Sequence, residues 1–166
     1  MNNTKENKMS NVSFQQPGKV KMVNGSILMP HNAGLRFILS INNMKGSVEG
    51  NPLFSVFDKK WLQVKVDSKG FYTNKTGSYK LGTILGTTAT QSDTWVIHCL
   101  VQDENLQVNL PSLEKCLKDM CKMAKYEKAS IHISSILTQM IPELSELVNE
   151  HLVKNGVGVS YYTENV

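Results

Sequence analysis

"TWVIHCLVQDENLQVNLPSLEKCLKDMCKMAKYEKASIHIS", residues 94–134, decides the fold. It opens with TWVIHCLV (94–101), an apolar run of the kind found in strands buried on both faces. Residues 110–126 then place Leu113, Cys116, Leu117, Met120, Cys121 and Ala124 at helical spacing, which predicts an amphipathic helix. ASIHIS (129–134) returns to a strand pattern. Further on, 141–156 reads as a second helix with Pro142 in its first turn, an inner stripe of Leu144, Leu147, Val148, His151 and Leu152, and Gly156 past its end. VGVSYY (157–162) reads as the last strand. Strand, helix, strand, helix, strand is a pair of consecutive βαβ units with right-handed crossovers. The expected fold class is therefore α/β, with helices on both faces of a central, largely parallel sheet. In such sheets ligands bind outside the carboxyl ends of the strands.

Upstream, KVKMV (19–23) alternates like a strand and stops at Asn24-Gly25-Ser26. LRFILSI (35–41) is another apolar run and predicts a central strand. It opens onto NNMKGSVEG (42–50), with Asn42 and Asn43 following the strand and Gly46, Ser47 and Gly50 preceding a helix that starts near Pro52. Leu53, Phe54, Phe57 and Trp61 continue that helix at helical spacing. A glycine loop feeding a helix can cradle a phosphate through backbone N–H groups, and it can equally be a plain connector. No Gly-Lys-Ser/Thr follows it, so it is not a Walker loop. Residues 62–82 admit either a hairpin around Ser68-Lys69-Gly70 or a short helix and loop.

The chain has 166 residues, 40% apolar and 19% charged, enough for one domain with a real core. Residues 1–18 are polar and read as a tail, which leaves 19–166 as the domain. The net charge of +4 is scattered rather than gathered into a stripe, which disfavours a dedicated nucleic-acid binder. Cys99, Cys116 and Cys121 are odd in number and form no C-x-x-C, so neither a disulfide framework nor a zinc site is expected. With no secretory h-region and no membrane-length apolar run, the expected location is the cytoplasm. The Asn- and Lys-rich composition suggests an AT-rich genome such as a phage's. His31, His98, His132 and His151 do not form a ligand set, and no metal is expected. Cys99 cannot pair with His98 as a nucleophile, because strand neighbours face opposite ways. Glu49, inside the glycine loop, is read as solvated rather than as an acid or base.

Taken in order, these stretches resemble the macro domain family, a three-layer α/β/α fold that binds ADP-ribose. The resemblance spans roughly residues 19–163, and in style is nearest the small single-domain branch that includes terminal ADP-ribose glycohydrolases. VKMVNGSIL looks like the family's first strand and Gly-Asp-Ile/Leu turn. FILSINNMKGSVEGNPLFSVFDKKW looks like its second strand, first loop and following helix. KLGTI with WVIHCLVQ looks like the middle strands, and the helix beginning at Asn109-Leu110 and the strand SIHIS also match.

The resemblance implies that Gly25 and Ile27 hold their motif positions, and that Ser26 stands where an Asp usually recognises adenine. Asn42 or Asn43 falls where an Asn contacts the distal ribose. Gly46, Ser47, Val48 and Gly50 fall in the loop around the pyrophosphate. After SIHIS the family has a second glycine-rich loop, but this chain has SILTQMIPEL, where Ser134, Ser135 and Thr138 supply only hydroxyls. The lysine nucleophile of the related glycohydrolases is also missing. The expectation is therefore a degenerate macro-like domain that binds ADP-ribose or a related nucleotide without strong hydrolase activity or a bound cofactor. The alternatives are an ADP-ribosyl hydrolase acting on protein or nucleic acid, and a protein- or nucleic-acid-interaction module that has lost the pocket.

Overall fold

A computed structural model describes residues 16–46, 53–73, 79–90 and 93–163. Six strands form one sheet: β1 (Val20–Val23), β2 (Arg36–Asn43), β3 (Ile84–Thr90), β4 (Thr94–Gln102), β5 (Ser130–Ser134) and β6 (Val159–Tyr162). Their order across the sheet is β1-β6-β5-β2-β4-β3. All neighbours are parallel except β3, which runs antiparallel to β4 at one edge. The expected α/β/α architecture holds, and the apolar run at 35–41 does become a central strand, flanked by β5 and β4. The helices are α1 (Phe54–Lys60), α2 (Leu62–Thr73), α3 (Leu110–Glu127), α4 (Ser135–Met140) and α5 (Leu144–His151).

One face of the sheet is apolar. Phe37, Leu39 and Ile41 of β2, Ile97 and Cys99 of β4, and Ile131 and Ile133 of β5 are all buried. Side chains alternate along a strand, so these share a face, and α3 covers it. Cys99 Sγ lies 3.7 Å from Met120 Sδ, and Cys116 Sγ reaches the Thr83 carbonyl. The six stripe residues of α3 are all buried. Asn109 caps that helix, its Oδ1 accepting from the Ser112 N–H at 2.9 Å.

The opposite face carries a polar layer: Ser40 and Asn42 of β2, His98 of β4, Thr87 of β3, His132 of β5 and Ser160 of β6, all buried. This layer corrects the reading of Asn42 and Asn43. They do not follow β2 but are its last two residues, each about 1% exposed, and a bulge separates them. A turn-forming residue stays in the strand here because its side chain has partners on the polar face.

Two further expectations change, and one open alternative is decided. Residues 62–73 are a helix, not a hairpin; only Val64 and Ser68, four apart, are buried among its described side chains. The glycine-free stretch after β5 is not a loop but α4, whose N-cap is Ser134. The single helix read over 141–156 is shorter: Pro142 precedes it, Glu143 is its N-cap, and a 3-10 turn at Val153–Asn155 ends on Gly156 at φ 87°. Of the stretch 42–50, Ser47, Glu49 and the remainder from 47 to 52 lie outside the described residues, as does most of the polar tail.

Candidate functional site

The carboxyl end of β2 is tied down from several sides. The Met44 N–H donates to the Gln102 carbonyl at 2.9 Å, and the Gly46 N–H donates to the Asn43 carbonyl at 3.2 Å. Gly46 sits at φ 68°, a conformation that favours glycine. The buried Tyr79 hydroxyl donates to the Met44 carbonyl at 3.1 Å. The turn that leads out of β2 is thus fixed before the chain reaches residue 47.

Beside this turn lies the Asn42 side chain. Its Oδ1 accepts from Ser40 Oγ at 3.1 Å and lies 3.3 Å from His98 Nδ1. Thr87 Oγ1 is 2.9 Å from His98 Nε2. Burial lowers the His98 pKa from 6.5 to about 4, so the ring is neutral and carries one N–H. With the Asn42 oxygen facing it, Nδ1 carries that proton; Nε2 then faces Thr87 Oγ1, whose hydroxyl also lies 3.4 Å from the Val96 carbonyl. The relay Thr87, His98, Asn42 is consistent with that orientation of the amide. Asn42 Nδ2 is left buried with no hydrogen-bond partner among the described residues. Leaving such a donor unmade costs about 1–3 kcal/mol, and buried polar groups are otherwise almost always paired.

A second relay lies across the sheet. The Tyr162 hydroxyl accepts from the His31 N–H at 2.8 Å and lies 2.6 Å from His132 Nδ1. His132 Nε2 lies 2.7 Å from Ser130 Oγ. Burial, with Arg36, His31 and Lys21 nearby, lowers the His132 pKa to about 4. This relay pins the connector 24–35, which crosses the polar face from the end of β1 to the start of β2.

The residues singled out in the sequence fall in three places. Asn42, Asn43 and Gly46 gather at the carboxyl end of β2. Ser134 and Ser135 stand at the carboxyl end of β5. Ser134 is buried, its Oγ accepting from the Ile136 N–H at 3.4 Å, while the Ser135 carbonyl accepts from Thr138 Oγ1 at 2.7 Å. Gly25 and Ser26 lie on the connector, where they line a groove of about 600 Å³ with Arg36, Lys60, Trp61 and Thr94. Ile27 is fully buried in the core, so it holds the connector down. Ser47, Val48 and Gly50 lie outside the described residues. No group of three or more metal-ligating side chains occurs among the described residues. No described helix is long and apolar enough to cross a membrane.

The polar participants His98 and Thr87 were not singled out as site residues. His98 reads as a core histidine, which it is, and nothing local announces that its ring faces Asn42.

This is the three-layer α/β/α architecture of macrodomains. A macrodomain protein from Streptomyces coelicolor superposes with a TM-score of 0.77 at 18% identity, over 89% of this chain and 100% of that one. The macrodomain of Mycobacterium tuberculosis DarG gives 0.65 at 13% identity, over 89% and 99%. That of Thermus aquaticus DarG gives 0.62 at 16%, over 89% and 99%. No protein-family model and no curated protein matches the sequence. At these identities the likeness is one of fold.

Proposed function

We propose that the chain is a macro-like binding module for ADP-ribose or a related nucleotide, held at the carboxyl ends of β2 and β5. The observation that carries this is the Asn42 amide: a buried donor pair with no partner, oriented by Ser40, His98 and Thr87 beside a fixed turn. A protein keeps such a donor unpaired where a ligand oxygen completes it, and a ribose hydroxyl is such an acceptor. The fold adds support by analogy, since parallel sheets seat nucleotides at their strand ends. Hydrolase chemistry has less behind it: neither relay ends on a group that could attack a glycosidic carbon, because each hydroxyl is engaged within its own network.

Calorimetry with ADP-ribose on the full chain tests the reading. Asn42→Asp keeps an acceptor for Ser40 and His98 but replaces the free donor with an acceptor. Binding by the wild type and a drop of ~10-fold or more in the variant are expected, since one such hydrogen bond is worth ~1.4 kcal/mol. No heat at about millimolar ligand, or equal affinity in the variant, would refute it.

A further inference from the structure

The groove between the connector and the end of α1 is a separate place. Arg36 begins β2 and Asn42 nearly ends it, six residues on, so the two lie ~20 Å apart along the strand. None of Asn42, Asn43, Gly46, Ser134 and Ser135 lines the groove. Its volume of about 600 Å³ is that of a small-molecule site.

Three features set its chemistry. Arg36, the sole arginine of the chain, lines the groove, and its side-chain partners among the described residues are neutral. Its Nε donates to Thr94 Oγ1 at 3.2 Å, and its Nη1 donates to the carbonyls of Pro30 and Asn32 at 3.2 and 3.0 Å. These bonds aim the guanidinium without neutralising it, and no carboxylate is among the described residues that line the groove. Lys60 adds a second cation at the rim; with Lys59 it also offsets the negative end of the α1 dipole. Finally, Trp61 is 5% exposed, lines the groove, and has an indole N–H that is buried without a hydrogen-bond partner. An indole nitrogen is a donor only. Charges and unpaired donors therefore meet beside an apolar wall of Leu28, Met29 and Pro30.

We propose that this groove is a second binding site, for a small organic anion whose phosphate or carboxylate sits on Arg36 and Lys60 and whose flat apolar body lies against Trp61. Arg36, Lys60 and Trp61 take no part in the strand-end reading, although Gly25 and Ser26, which the resemblance places at the adenine, also line the groove.

Phenyl phosphate is the probe. In the full chain carrying Trp95→Phe, Trp61 is the only indole, and its emission reports the groove. A saturable change is expected, with inorganic phosphate and benzyl alcohol each weaker by ~10-fold or more, since each lacks one half of the recognition. Lys60 is exposed, so Lys60→Glu should fold normally and weaken phenyl phosphate by a similar factor. It should leave any ADP-ribose affinity unchanged. Asn42→Asp should leave phenyl phosphate binding unchanged. A non-saturable response, indifference to Lys60→Glu, or loss on Asn42→Asp would overturn the proposal, the last by moving the probe to the strand ends.

Discussion

His98 and Asn42 are 56 positions apart in the chain and meet across two neighbouring strands. What His98 contributes is direction. Its Nδ1–H holds the Asn42 oxygen inward, so that the nitrogen faces the other way. His98→Phe keeps the bulk and deletes that N–H. We expect ADP-ribose affinity to fall ~10-fold, with Thr87→Val falling less; equal binding in both variants would show that packing alone orients the amide. This part of the site was only half legible in the sequence. Asn42 could be picked out because Asn and Gly cluster after an apolar run. Its place inside the strand could not, since Asn ordinarily favours turns, and the partners that override that preference come from β3 and β4. Gly25 shows the opposite case. It completes a turn motif, yet a side-chain carbon there would make only ordinary contacts, 3.6 Å from Val23 and 3.8 Å from His31.

At the scale of elements, helix α3 was the clearest feature in advance, because an apolar stripe is a local property and all six of its members are buried. Helix α2 was not legible: its described side chains are nearly all exposed, so no period survives in the sequence. Helix α4 was hidden by comparison with a glycine loop, although Ile136, Leu137 and Met140 pack on the core at helical spacing. The end of α3 offers a direct test. Lys128 occupies the left-handed region at φ 56°, ψ 42°, where glycine is at no disadvantage. Lys128→Gly should stabilise the protein by ~0.5–1 kcal/mol in denaturant titrations. The start of β1 makes the reverse demand. Gly18 donates its N–H to the Val153 carbonyl, and an added carbon would overlap the Val157 carbonyl. Gly18→Ala should cost ~2 kcal/mol or more, whereas Gly25→Ala should stay within ~0.5 kcal/mol; comparing the two melting curves settles the matter.

For the molecule as a whole, the two buried histidines tie stability to pH. In the unfolded chain each titrates near 6.5, while in the fold each is held at about 4. Between these values the unfolded state binds more protons, so stability is full above pH 6.5 and is lost as the pH falls towards 4. Each histidine accounts for at most ~3 kcal/mol. Urea unfolding should therefore give a lower midpoint at pH 4.5 than at pH 7, and His98→Phe should remove about half of that difference. A midpoint that does not move would mean that neither ring is held neutral. The sheet order has a kinetic corollary as well. Among the described strands β1 pairs with β6 alone, Val20 with Val159, and β2 must wait for both β4 and β5. A chain leaving the ribosome thus presents its central strand long before either partner exists, and its first strand longer still. Pairings this distant in sequence are slow to close and leave apolar edges exposed meanwhile. The last strand is the keystone of assembly, and a nascent chain stalled short of it should be a client for chaperones rather than a nearly finished domain.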